Sequence, residues 1–211
     1  MRRPSASPEL FKTGSLLLRY PTAELLALDP DIATALQAVG PRSARPHIER
    51  FLAHRSATPL GMLEQEYVET FDLRRRCTLN VSYYMYGDTR RRGVALLRLK
   101  RMYAAAGLVL ETGELPDHLP VMLDFAALAP AGYGDRLLGE HRIGIELLRL
   151  ALHDAGTPHA AVLDAVCTAL PRLGVREADA VSRLAAEGPP DEQVGLEPFA
   201  PPEVMPHEVR T

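Results

Sequence analysis

An all-α single domain, a bundle of about eight or nine helices with a disordered C-terminal tail, is the fold class predicted on three observations. Apolar residues recur at steps of three and four through most of residues 8–187, which is the spacing of one helical face. Leu79, Val81 and Tyr83 alternate as a strand would, but no second alternating segment is available to pair with their N–H and C=O groups. Gly and Pro fall between the periodic segments, where helices stop and start.

Leu10, Phe11, Ser15 and Leu18 share the first helical face, with Leu17 alongside. Tyr20-Pro21 ends that helix and begins a second, bent at Asp29-Pro30-Asp31, with Leu25, Leu28, Ile32, Leu36 and Val39 on one face. Gly40-Pro41 stops it, since Gly suits a C-cap and Pro cannot continue a helix. A third helix over 46–56 turns Ile48, Phe51 and Leu52 inward. A fourth over 59–72 carries Leu60, Leu63, Tyr67 and Phe71 in one stripe.

Residues 73–87 read as helix or irregular chain. Asp88 is then expected to cap a long helix over 89–106, with Val94, Leu97, Met102 or Arg101, and Ala105 inward. Pro116 and Pro120 flank a tight turn, and the next helix starts at about Pro120, because each ring fixes φ and removes a donor. That helix faces inward through Met122, Phe125, Ala126 and Ala129. Another follows over 135–155, with Leu138, Ile145, Leu148 and Leu152 inward. The last two cover 158–170 and 176–186. Residues 188–211 hold six Pro and five acidic residues against one Arg, a composition too poor in apolar groups to offset its ordering entropy. The division is therefore a helical domain, 1–187, and a disordered tail, 188–211.

At 211 residues the chain is long enough for a real core. No apolar run reaches the ~18–20 residues of a membrane span, and no signal-peptide core follows Arg2-Arg3; a cytoplasmic location is expected. Cys77 and Cys167 stand far apart outside any metal-ligand spacing and read as reduced, buried thiols. The net charge is −3, and 22 of the 24 basic residues are Arg. That balance argues against general nucleic-acid binding, which shows a basic excess.

Nucleotide-binding loops, serine-hydrolase elbows and HExxH zinc helices are all missing from the sequence. His118, His141 and His153 have no histidine partner at i,i+4, so no metal is expected. Asp117 and His118 fall beside the positive end of a helix, where a carboxylate gains about 0.3–1 kcal/mol and an anion can be held; a plain capping turn is the simpler reading. Tyr67 and Phe71 face the same way at i,i+4. They are either core or the wall of an apolar groove, with Glu64, Glu66, Glu69 and Asp72 supplying negative potential for a basic or amphipathic helical peptide. Arg74-Arg75-Arg76 and Arg90-Arg91-Arg92 need carboxylates, because cations oppose the dipole at a helix start. Asp88 or the acids of 64–72 are the candidates, which makes Asp88, Arg91 and Arg92 structural salt-bridge or cap residues.

Three blocks, Glu66-Tyr67-Val68-Glu69-Thr70-Phe71-Asp72-Leu73, Gly87-Asp88-Thr89-Arg90-Arg91-Arg92-Gly93 and Glu114-Leu115-Pro116-Asp117-His118-Leu119-Pro120, resemble in type and order the signatures of the nitrate reductase delta chaperones (NarJ), within the TorD-like redox-enzyme maturation chaperones. The resemblance covers about 12–188. It implies an all-helical, non-enzymatic chaperone that binds the N-terminal segment of the catalytic (alpha) subunit of respiratory nitrate reductase. It further implies that the chaperone keeps the apoenzyme competent for insertion of the bis-guanine-dinucleotide molybdenum cofactor, and in part the iron–sulfur cluster, before membrane docking. The chaperone itself would hold no stable cofactor and would be a monomer or weak homodimer.

Carried onto this chain, the resemblance implies client-peptide binding by Tyr67, Phe71, Asp72, Glu114, Pro116, Asp117 and His118. His118, titrating near neutrality, would make client affinity depend on pH. Two other readings remain open from the residues: a helical metal-dependent enzyme acting on a phosphorylated small molecule, and a helical nucleic-acid-binding regulator.

Overall fold

The computed structural model describes residues 8–39, 42–110 and 113–190. Among them are twelve α-helices, ten of eight residues or more, and no named strand. In order they are α1 (Pro8–Leu17), α2 (Ala23–Leu26), α3 (Asp29–Val39), α4 (Arg45–Ala57), α5 (Leu60–Tyr67), α6 (Tyr83–Tyr86), α7 (Arg90–Ala105), α8 (Leu119–Leu128), α9 (Tyr133–Glu140), α10 (Arg142–Asp154), α11 (Ala160–Ala169) and α12 (Val175–Glu187). The all-helical expectation holds.

Helix α1 lies along α8 and α11, α4 and α10 flank α11, and α12 closes on α10. The centre is dry: Leu10, Phe11, Leu18, Leu119, Met122, Leu123, Leu148, Val162 and Leu163 have no exposed surface. The inward residues expected on α1 are all buried, as are Leu138, Ile145, Leu148 and Leu152. Helical periodicity found them because each contributes to one apolar stripe.

The count exceeds eight or nine for identifiable reasons. The second predicted helix is two, because Pro30 lacks a donor and can only enter the first turn of α3. The predicted 135–155 helix breaks at His141, which serves as C-cap of α9 and N-cap of α10 while its Nδ1 lies 2.9 Å from the Leu137 carbonyl oxygen. Asp88 is not the cap of α7; Thr89 holds that position without a side-chain bond, and its hydroxyl donates to the Tyr86 carbonyl.

The inner face of α7 is also corrected. Leu99 and Tyr103 are its buried residues, with Met102 partly covered, whereas Val94 and Leu97 are 71% and 50% exposed and Ala105 is exposed. The apolar anchor of this helix is its C-terminal half; in its first half Arg92 alone of the three arginines turns inward, and Arg90 and Arg91 are exposed. Leu28, expected on the inner face of the second helix, is also exposed.

The stretch 73–87 contains a 3₁₀ turn (Arg75–Cys77), an extended bridge at Asn80 and the single turn α6. Both thiols are free; Cys77 is buried and Cys167 only partly so. The Gly40-Pro41 stop and residues 191–211 lie outside the described residues, and α12 ends at Glu187, with Gly188 following at φ +86°.

Candidate functional site

Two observations locate the site. The strand-like alternation at 79–83 does find a partner, and the partner is the proline-flanked turn. Asn80 and His118 form an antiparallel bridge: the Val81 N–H donates to the Asp117 carbonyl at 3.0 Å, and the Leu119 N–H donates to the Leu79 carbonyl at 2.8 Å. The proline turn is thereby stitched onto the chain between the first two blocks. Helix α8 starts at Leu119, with Pro120 in its first turn and His118 at the cap position without a side-chain cap bond.

The second observation is a cleft of about 750 Å³ beside this bridge, within the ordinary range for a binding pocket. Tyr67, Phe71 and Asp72 line it together with Glu114, Leu115, His118, Pro120 and Val121 of the proline turn and the start of α8. Arg19, Tyr20, Leu25, Thr78, Leu79, Asn80 and Gly113 complete the lining.

The segment carrying Tyr67, Phe71 and Asp72 begins on α5 and ends in a π turn, Val68–Asp72, closed by the Leu73 N–H on the Val68 carbonyl at 3.0 Å. Such turns gather at functional sites. The Tyr67 and Phe71 rings lie 4.8 Å apart, and Tyr20 stands edge-on to Tyr67 at 5.3 Å. The Tyr67 hydroxyl donates to the Leu18 carbonyl at 3.3 Å. Burial raises the phenol's pKa, and Asp72 and Glu114 push it further up, so the ring stays neutral. Core and groove wall are one role here: both rings are more than nine-tenths buried, yet they line the cleft.

Charge is arranged around this apolar surface. Asp72 and Glu114 both line the cleft and are exposed, close enough for their charges to act on Tyr67. Arg19 is held by Asp124, which also accepts from Lys12 at 2.9 Å. Glu66 pairs with His54 at 2.8 Å, and Glu69 accepts from Gln65 at 2.7 Å; with Glu64 they lie outside the lining.

His118 is mostly covered. Its Nδ1 has no hydrogen-bond partner and lies 3.7 Å from Glu114 Oε2. Burial pushes the imidazole pKa down and Arg19 adds to this; Glu114 and Asp117 pull it back up without reversing the direction. The near-neutral titration expected of His118 is thus corrected: the ring is neutral at pH 7.

Asp117 and Pro116 do not line the cleft. Asp117 is wholly buried on the far side of the turn, where Oδ2 accepts from Ser82 Oγ at 2.5 Å and from Arg92 at 3.2 Å. Arg92 also donates to Asp88 at 3.0 Å, and Asp88 accepts from Arg75 at 3.1 Å. Of the two arginine clusters, Arg75 and Arg92 thus pair with Asp88 and Asp117 and with none of the acids of 64–72. Arg91 is exposed and makes no ion pair among the described residues. The Pro116 carbonyl accepts from the buried Tyr103 hydroxyl at 2.6 Å.

Behind the 79–81 segment stands Gly144 of α10, where a Cβ would lie 2.6 Å from the Val81 carbonyl oxygen. That close approach requires glycine. Sequence reasoning missed Arg19, Tyr20, Leu25 and Asn80, which come from segments with no motif of their own. Only the alternation at 79–83 hinted that this stretch would pair. Among the described residues, no group of three or more His, Cys, Asp or Glu is placed to hold a metal, and no helix is long and apolar enough to cross a membrane.

All three sequence blocks thus meet at one cleft and its supporting ion pairs. Residues 36–164 match the model of the family described as nitrate reductase delta subunit. The chain belongs to this family. The matched span contains every block of the site. Among curated members and relatives, the chain is 33% identical over 167 residues to the probable nitrate reductase molybdenum cofactor assembly chaperone NarJ of Bacillus subtilis, covering 79% of this chain and 91% of that protein. It is 30% identical over 154 residues to the corresponding chaperone NarJ of Escherichia coli K12, covering 71% and 64%. A crystal structure of a redox enzyme maturation protein from Archaeoglobus fulgidus, described as putative, superposes with a TM-score of 0.58 at 21% identity, covering 76% of this chain and 91% of that one. At that identity the likeness is one of fold.

Proposed function

We propose that this member of the delta-subunit family is a system-specific chaperone for assembly of respiratory nitrate reductase. It binds the N-terminal segment of the apo catalytic subunit in the cytoplasm. It keeps that subunit competent to receive its molybdenum cofactor before the enzyme docks at the membrane. The cofactor is the client's cargo, and the chaperone's own part is binding, not catalysis.

The observation that carries this reading is the cleft that joins the first and third blocks, lined by the apolar rings of Tyr67 and Phe71 together with the exposed carboxylates of Asp72 and Glu114. An amphipathic helical peptide with apolar anchors and basic flanks fits such a surface, through burial of its apolar face and charge complementarity at the rim. Tyr67, Phe71, Asp72, Glu114 and His118 contact the client; Pro116 and Asp117 hold the turn that presents them.

Isothermal titration of the purified protein with the client's N-terminal peptide tests binding. Nitrate reductase activity and molybdenum content in a deletion strain test the consequence. A peptide that gives no heat of binding, or a reductase that matures fully in the deletion strain, removes the proposal.

A further inference from the structure

Helix α7 holds six of the chain's 24 basic residues and none of its 27 acidic ones, in a molecule of net charge −3. Arg92 turns inward to Asp88 and Asp117, and Leu99 and Tyr103 turn inward to the core. On the opposite side Arg91, Val94, Arg98 and Arg101 follow one another at helical spacing, with Leu97 beside them. All five are exposed, so the stripe is basic towards both ends with two apolar residues between.

The protein does little to offset this charge. Glu140 of α9 reaches Arg98 at 4.0 Å but is held by Arg136 at 2.9 Å. No ion pair among the described residues engages Arg91 or Arg101. Arg91, in the first turn, also opposes the helix dipole, so the helix gains nothing from it. The face is convex, the outer side of one helix, and a Cβ at Gly93 beside it would meet nothing within 4 Å.

A folded acidic partner would have to set carboxylates at fixed points along such a ridge. Anionic headgroups need no such match, because their negative potential is spread over the whole surface. Val94 and Leu97 decide between lipid and nucleic acid. A phosphodiester backbone would take the arginines and leave both apolar side chains in water. At a bilayer surface they enter the headgroup boundary while the arginine stems stretch beside them and keep their charges at the phosphates.

We propose that the α7 stripe is a peripheral docking surface for an anionic phospholipid bilayer. Arg91, Arg98 and Arg101 meet headgroup phosphates, and Val94 and Leu97 enter between them. The stripe is about 15 Å long, and so short a contact docks reversibly. Arg92 ties the start of α7 to the proline turn, so the docked molecule holds its cleft in a set orientation to the bilayer.

The chain contains no Trp, and this makes the test site-specific. Leu97→Trp in the full chain places a single indole on the stripe; Met62→Trp on α5, at a position 54% exposed, is the control. On mixed phosphatidylglycerol and phosphatidylcholine vesicles, Leu97→Trp emission should shift to the blue and be quenched by brominated lipid. Met62→Trp should not respond, and neither should change on phosphatidylcholine alone. Vesicle retention of the full chain should fall about tenfold or more from about 0.1 M to about 1 M salt, as the Debye length contracts from about 10 Å to about 3 Å. The Arg91→Glu, Arg98→Glu, Arg101→Glu triple variant should lose as much, and the same change at the exposed Arg172, Arg176 and Arg183 less than about a third of it. An unquenched Leu97→Trp chain, equal retention by the two vesicle types, or equal losses in the two triple variants overturns the proposal. So does a chain that ignores the vesicles but binds polyglutamate or duplex DNA, which assigns the face to an acidic protein or to nucleic acid. Leu97→Trp keeps every arginine, so its answer does not depend on the triple variant folding. No client peptide is present, so failure here leaves the chaperone reading standing.

Discussion

Arg92 stands 3.2 Å from the wholly buried carboxylate of Asp117 and, through its other terminal nitrogen, 3.0 Å from Asp88. One guanidinium thus ties the start of α7 to the turn that forms half of the cleft. Replacing it leaves Asp117 buried without a counter-charge. Arg92→Met should cost about 3–5 kcal/mol, measured by urea unfolding. Adding Asp117→Asn to that variant should recover part of the loss. A loss under about 1 kcal/mol for Arg92→Met would mean the pair does not hold the turn.

Asp72 offers the opposite case. It is exposed on the cleft rim, so Asp72→Lys should change stability by no more than about 0.5 kcal/mol. The same change should weaken binding of a basic client peptide at least tenfold. Glu69→Lys, one helical turn back and outside the lining, should weaken it less. Equal effects in titration calorimetry would place the peptide elsewhere.

For His118, burial sets the sign of any pH effect. Its lowered pKa keeps the ring neutral in the free protein at pH 7 and above. Client affinity should therefore be the same at pH 7 and pH 8. Any dependence carried by this ring should emerge below pH 6.5 and vanish in His118→Gln. A His118-dependent change between pH 7 and 8 would contradict the environment described for it.

His159 supplies an acid limit to stability. It sits 5.0 Å from the Phe51 ring and 4.9 Å from that of Phe71, and burial lowers its pKa to about 3, with His54 and Arg55 adding to the shift. The folded state thus binds the proton less readily than the unfolded chain. The contribution is complete above the unfolded value of 6.5 and is lost as pH falls from there towards 3. One such group gives a slope of up to about 1.4 kcal/mol per pH unit. Unfolding curves at pH 7 and pH 5 should show this loss, and His159→Phe should flatten it.

Gly144→Ala probes the support of the 79–81 segment. The added methyl would meet the Val81 carbonyl oxygen at 2.6 Å and Val81 Cγ1 at 2.7 Å, and Val81 donates to the Asp117 carbonyl. Overpacking of this kind costs about 1–3 kcal/mol. Client affinity should fall with it, because the 79–81 segment contributes Leu79 and Asn80 to the cleft lining and is bridged to the proline turn. Unchanged melting and binding would show that the segment yields freely.

Much of this molecule was legible before any coordinates. The inward stripes of α1, α8 and α10 follow from 3.6-residue periodicity, since one face of each helix must leave water. The membership of Tyr67, Phe71, Asp72, Glu114 and His118 in one site was legible only through the resemblance of three blocks. No local rule brings residues 71 and 114 together. The inner face of α7 was misread because Val94 and Leu97 satisfy the period without being covered; period reports what can be buried, and a neighbour decides what is.

The sequence by itself determined an all-helical body, its apolar stripes and the residues of the three blocks, because these depend on spacing within a few turns of chain. Tertiary structure alone decided that Asp117 faces Ser82 and Arg92 while His118 faces the cleft. It also decided that the apparent strand at 79–81 pairs with the proline turn. Those outcomes rest on hydrogen bonds and burial between segments some 35 residues apart, where the partner of a polar group is fixed by which helices pack together.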